Sequence, residues 1–249
     1  GKAIKGVLSG SSVILSVYAG NQAGTIGNAT GAGFGAPSVY VAGVASCGAG
    51  TTLIGTSAGD GVPAGALARC RVGTAGTTDV NGGFALTIPD AATALKGPLH
   101  VEITNGNMLD EATGATIVGP VSAAVNTRLR ALSAVEYLDD LRGAGGVPDI
   151  QQVAVTALTE FATSLAIDSA TSAPTSLQAH QANTVTGSIF GVGADVVRTL
   201  PSDILNPDAS DDSDASKTYG LINAGFSQLA QDLGGDRDVL DVVRVGAED

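Results

Sequence analysis

The sequence predicts an α+β protein: an N-terminal antiparallel β-sandwich over residues 1–118, then a C-terminal α-helical bundle over residues 119–249. Three observations predict it. The first is the unit from Thr77 to Asp90, in which Asn81-Gly82-Gly83 accepts the positive φ of a tight hairpin turn. Phe84, Leu86 and Ile88 then share one face, Ala85 and Thr87 the other, and Pro89 stops the run because it cannot donate to a ladder. The second is that apolar residues alternate at period two in several other segments of the first half. The third is that, beyond Thr113-Gly114, apolar residues recur at spacings of three and four.

Ala3 to Leu8 and Val13 to Ala19 read as the first strands, separated by Ser9-Gly10-Ser11-Ser12; in the second, Val13, Leu15 and Val17 oppose Ile14, Ser16 and Tyr18. Asn21 to Pro37 is glycine-rich and aperiodic, the pattern of a long loop. Ser38 to Ala45, Thr51 to Thr56 and Ala66 to Val72 follow as strands. In Leu99 to Thr104, Leu99, Val101 and Ile103 alternate with His100, Glu102 and Thr104, between Gly97-Pro98 and Asn105-Gly106. The first helix is expected from Val121 onward through Val125, Leu129, Leu132, Val135 and Leu138. A second begins near Ile150 and runs through Val153, Ala157, Leu158, Phe161 and Leu165. The third spans Thr175 to Phe190 with Leu177, Val185 and Ile189 inward. The fourth carries Tyr219, Ile222, Phe226, Leu229 and Leu233 and ends at Gly234-Gly235. A short last helix covers Val239 to Val243.

Apolar residues at 44% suffice for a core, yet aromatics are only 4% and charged residues 14%, well below the roughly 25% of an ordinary domain. A surface so poor in charge suits assembly or an exterior location. The net charge of −12, with 12 scattered basic residues, argues against nucleic acid and against an anionic membrane surface. No apolar run approaches the roughly 20 residues of a membrane span. The start at Gly1-Lys2-Ala3-Ile4 already reads as strand, the expectation for a processed, mature product. Cys47 and Cys70 have no second Cys or His at zinc-ligand spacing. A disulfide closing the intervening loop is the expected reading, implying an oxidising compartment; a pair of small buried thiols is the other.

The Lys5-Gly6-Val7-Leu8-Ser9-Gly10 opening and the Thr78-Asp79-Val80-Asn81-Gly82-Gly83-Phe84-Ala85-Leu86-Thr87-Ile88-Pro89 strand resemble the carboxypeptidase-regulatory-like, transthyretin-like (immunoglobulin-like) sandwich of bacterial surface proteins. Leu109-Asp110-Glu111-Ala112-Thr113-Gly114, Leu129-Arg130-Ala131 and Val155-Thr156-Ala157-Leu158-Thr159-Glu160-Phe161 are similar to exported bacterial proteins and lipoproteins that carry this sandwich. The resemblance implies export and surface display, with no active-site residues to carry over. The long insertions at Asn21–Pro37 and Gly48–Ala68 depart from the pattern.

Chemistry-bearing patterns are few. Gly55-Thr56-Ser57-Ala58-Gly59 has the form of a hydrolase nucleophile elbow, but Asp60-Gly61-Val62-Pro63 follows where that elbow needs a helix. His100 reads as a solvated or rim residue on the polar face of its strand, and His180 likewise on its helix. Asp79 and Asn81 read as turn formers. Asp208, Asp211, Asp212 and Asp214 form the one carboxylate cluster; the expected role is a solvated linker ending in a helix cap at Ser213 or Asp214, and the alternative is a weak calcium site. No other cofactor is expected.

These readings lead to a non-catalytic extracellular structural protein, exported from a bacterium: the subunit of a surface fibre or pilus-like filament, with other copies of itself as partners. The assembly strand would be Ala3 to Val17, with Ala3, Ile4, Val7, Leu8, Val13, Leu15 and Val17 adding to a neighbour's sheet edge. The alternative is a cell-surface module binding a glycan or protein through its loops, against which stands the scarcity of aromatic platforms.

Overall fold

The computed structural model describes residues 2–3, 8–22, 47, 51–54, 69–104, 106–109, 116–117, 128–141, 152–168, 173–204 and 212–233. Its strands are β1 (Lys2–Ala3), β2 (Leu8–Ser9), β3 (Ser12–Tyr18), β4 (Thr51–Ile54), β5 (Arg69–Val72), β6 (Gly76–Thr77), β7 (Leu99–Thr104), β8 (Asn107–Leu109), β9 (Thr116–Ile117), β10 (Arg128–Ser133) and β11 (Ala154–Val155). The helices are α1 (Ala157–Asp168), α2 (Ser176–Phe190) and α3 (Asp214–Leu233). An antiparallel sheet with three helices makes the described protein mixed α+β.

The central sheet has six strands in the order β10-β7-β3-β5-β4, with β6 also paired to β3. Its register lines up the apolar residues: Val13 faces Ile103, Leu15 faces Val101 and Val17 faces Leu99, while Ile103 faces Leu129 and Val17 faces Cys70 across the other two ladders. These side chains are buried in one core cluster. Phe84, Leu86 and Ile88 pack against it half-buried, with Ala85 and Thr87 exposed, as their alternation predicts. That stretch is extended but forms no ladder among the described residues. The turn before it is built by Asp79, whose Oδ1 accepts from the backbone N–H of Asn81 and Gly83, both at 2.8 Å, with Gly82 at φ 72°.

Residues of the opposite face are also buried, and α1 and α2 pack beside β10. Tyr18 of β3 and Leu132 of β10 cluster with Ala166 of α1 and with Ala179 and Ala182 of α2.

Several expectations are corrected here. The helix expected from Val121 through Leu138 is instead, where described, strand β10 followed by a short 3-10 turn at Leu138–Leu141. A strand buried on both faces carries apolar groups on each, so Leu129 and Leu132 imitate a three-residue helical spacing. The second helix begins at Ala157, not near Ile150. Ala154–Val155 pairs in parallel with Lys2–Ala3, and Thr156 and Thr159 close the helix start through reciprocal bonds of 2.8 and 3.3 Å between backbone N–H and side-chain oxygen. Strand pairing crosses the boundary expected at residue 118: β10 lies after it and joins the central sheet beside β7, and β11 lies after it and pairs with β1 in a separate two-stranded sheet. The third helix matches its expected span, but Leu177, Val185 and Ile189 are exposed and Ala179, Ala182, Asn183, Thr186 and Gly187 face inward. On α3, Tyr219 is fully buried and Ile222 and Phe226 partly so, whereas Leu229 is exposed. The expected strand at Ser38–Ala45, the loop beyond Gln22 and the helix at Val239–Val243 lie outside the described residues.

Candidate functional site: a buried charged layer

Between the sheet and the helices lies a layer of charged side chains. It begins as the polar alternation of four neighbouring strands: Tyr18 stands opposite Arg69, Ser16 opposite His100, and Glu102 opposite Arg130. In a sheet with one wet face these groups would be hydrated. Here Arg69, His100, Glu102 and Glu160 are buried, so each needs a protein partner.

Arg69 Nη1 lies 2.6 Å from His100 Nδ1, and Arg69 Nη2 lies 3.0 Å from Glu102 Oε2. Arg69, His100 and Glu102 are all buried. The Tyr18 ring meets the His100 ring edge-on at 5.7 Å. His100 is thus corrected from a solvated strand residue to a core one, while His180 is exposed as expected.

A second ion pair joins the sheet to α1. Arg130 donates from Nε to both oxygens of Glu160, at 3.0 and 3.1 Å, and from Nη2 to Glu160 and to Ser164 Oγ. Burial alone would lower the Arg130 pKa, but the adjacent Glu160 carboxylate and its hydrogen bonds outweigh that and raise it. On α3, burial followed by the charge of Asp195 holds the Tyr219 phenol above its ordinary value, although the hydrogen bond with Thr156 acts the other way. Tyr219 Oη lies 2.7 Å from Thr156 Oγ1 and donates to Val196 O at 3.1 Å.

These groups tie elements together; chemically, the arrangement fixes helices on a sheet. No group of three or more His, Cys, Asp or Glu able to hold a metal occurs among the described residues. Of the cluster considered for calcium, Asp212 and Asp214 are exposed, Asp214 opens α3, and Asp208 and Asp211 lie outside the described residues. The helix is capped at Ser213, whose Oγ accepts from Ser216 N at 3.1 Å. Ser57 also lies outside the described residues.

Cys47 and Cys70 are joined in a disulfide, both buried, with Cα atoms 5.5 Å apart. The residues expected to form an assembly strand are distributed otherwise. Val13, Leu15 and Val17 belong to β3, which has partners on both sides and side chains in the core, so its ladder is already filled. Ala3 pairs with Val155, Leu8 pairs with Met108, and Ile4 and Val7 lie outside the described residues.

The sequence reading missed Arg69, Glu102, Arg130 and Glu160. A signal was present: basic residues are scarce, yet Arg69, Arg71, Arg128 and Arg130 all fall at alternating positions of strands, as Glu102 and His100 do. Comparison with models of known families, with curated proteins and with solved structures finds no match, and so identifies no carboxypeptidase-regulatory-like or transthyretin-like domain.

Proposed function

We propose that this chain is a non-catalytic structural protein, exported from a bacterium, that assembles with copies of itself into a surface fibre. The observation that carries this reading is the row Leu177, Val185 and Ile189, three large apolar side chains turned to solvent along one helix that has no Asp, Glu, Lys or Arg. On a chain of net charge −12, an uncharged apolar face is where copies approach with least repulsion. The disulfide supports an oxidising compartment. The internally paired charges of the buried layer support a structural role, since they join one element to another.

Because β3 already has a partner on each side in its own sheet, this reading places the contact on a helix face and not on that strand. Sedimentation velocity and negative-stain imaging of the oxidised protein test the reading: concentration-dependent oligomers are expected, and a strict monomer at high concentration removes it.

A further inference from the structure

The charged layer is not balanced within itself. On the face it occupies, the ladders set Thr52, Arg71, Ser16 and His100 in one row across four strands, each directly opposite the next. Opposed side chains have Cβ atoms about 5 Å apart, close enough for one small ligand to touch two or three of them. The row holds no carboxylate. Among the described residues, the ion pairs of the layer join Arg69 to Glu102 and Arg130 to Glu160, so Arg71 is the guanidinium left over. Two donors in the row are also buried without a partner, Arg71 Nε and Ser16 Oγ. Ser16 is fully buried and Arg71 half-buried. The row reaches solvent at its β4 end, where Thr52 is exposed on the outermost strand of the described sheet.

We propose that Arg71 and Ser16, with Thr52 at the rim, bind a small tetrahedral oxyanion, phosphate or sulfate. A guanidinium has only donors to offer, and a hydroxyl beside it can donate to the same ligand, so the occupant must bring acceptors. Its negative charge offsets a cation that has no carboxylate in its row and that stands two residues from Arg69 on the same strand face. Shape narrows the class further. The fork of an arginine fills both oxygens of a carboxylate, whereas a tetrahedral oxyanion keeps further oxygens for Ser16 on one side of Arg71 and Thr52 on the other. An acceptor that meets two buried, unmet donors removes the cost of leaving them so. The site uses one copy of the chain, so it stands or falls apart from self-assembly.

The test is isothermal titration of the full-length oxidised protein with phosphate, sulfate, acetate and chloride salts at fixed ionic strength. One saturable site per chain is expected for phosphate and for sulfate, with acetate about tenfold weaker or more and chloride not competing. R71Q is expected to weaken phosphate about tenfold or more and S16A several-fold, whereas R198Q, at an exposed arginine elsewhere, leaves it unchanged. Without phosphate, S16A is expected to melt no lower than the wild type, because it removes an unmet hydroxyl, yet phosphate raises its Tm less. Absence of saturable binding at millimolar phosphate overturns the proposal and leaves the two donors to water. R71Q binding like the wild type overturns it too, as does R198Q weakening phosphate as much as R71Q, the mark of a general attraction of anions to any cation. Acetate as tight as phosphate overturns the tetrahedral assignment. Should R71Q lose the circular dichroism of the wild type, R71K replaces it, keeping the charge without the fork; an unchanged phosphate affinity in R71K overturns the site.

Discussion

Arg69 has only N–H groups to offer, so the His100 nitrogen 2.6 Å away must accept. The same guanidinium pairs with Glu102 at 3.0 Å, and removing it takes that partner from a buried carboxylate. Arg69→Met is expected to cost about 3–5 kcal/mol in urea unfolding. Arg69→Met combined with Glu102→Leu is expected to cost less than the single change, because no buried charge is then abandoned; a double variant as weak as the sum would refute the pairing. Tyr219 gives a pH signature. Its phenol is held above the ordinary 10.0 in the folded state, so the unfolded chain loses that proton first. Stability contributed by the neutral phenol is complete below pH 10 and drains away as pH rises beyond it. Tyr219→Phe is expected to be about 1 kcal/mol weaker at pH 7, from the lost hydrogen bonds, yet to decline less between pH 10 and 11 in thermal melts.

At the scale of elements, the outer edge of β10 shows how the sheet is closed. Thr159 Oγ1 donates to Arg130 O at 2.9 Å, Asn183 Nδ2 donates to Leu132 O at 2.9 Å, and Ser176 Oγ donates to Val135 O. Side chains of α1 and α2 thus take the place of a further strand. Asn183→Ala removes the donor on a buried carbonyl and is expected to cost about 1–3 kcal/mol. It is also expected to raise light scattering during heating, while Ser188→Ala, on the exposed side of α2, changes neither. β7 was legible because Leu99, Val101 and Ile103 alternate cleanly, and α2 because Leu177, Val185 and Ile189 keep helical spacing, although the capping box of Thr175 and Gln178 at its start was not read. β10 was not, since burial on both faces erased its alternation. The inward face of α2 was hidden for a related reason. Gly187 approaches the backbone so closely that a Cβ there would lie 2.2 Å from Gly193 O, so small residues pack inside and the large apolar ones turn outward. The charged layer escaped because alternation alone says which residues share a face, not whether that face is wet.

For the whole molecule, the pairing of β10 with β7 and of β11 with β1 means that segments before and after residue 118 complete each other's sheets. The α1 helix is bound to this sheet by the Arg130–Glu160 pair and shares its core through Leu158 and Ala162. If either half leaves, the other loses the β7–β10 and β1–β11 ladders, so helices and strands are expected to unfold together. The disulfide acts on that single transition. Cys70 sits within β5 in the central sheet, and Cys47 is anchored to it across 23 residues of sequence. Cross-linking a loop of that length restricts the unfolded chain by about 3 kcal/mol. C47A/C70A is therefore expected to lower urea-unfolding stability by about that amount, less whatever the two small buried side chains recover by packing. Far-UV circular dichroism, which reports mainly the helices, and the absorbance of the four tyrosines, among them buried Tyr18 in the sheet and Tyr219 on α3, are expected to trace one midpoint before and after the change. Two separate midpoints would divide the molecule into independent units, and an unchanged midpoint in the variant would mean that the sheet holds its order without the link.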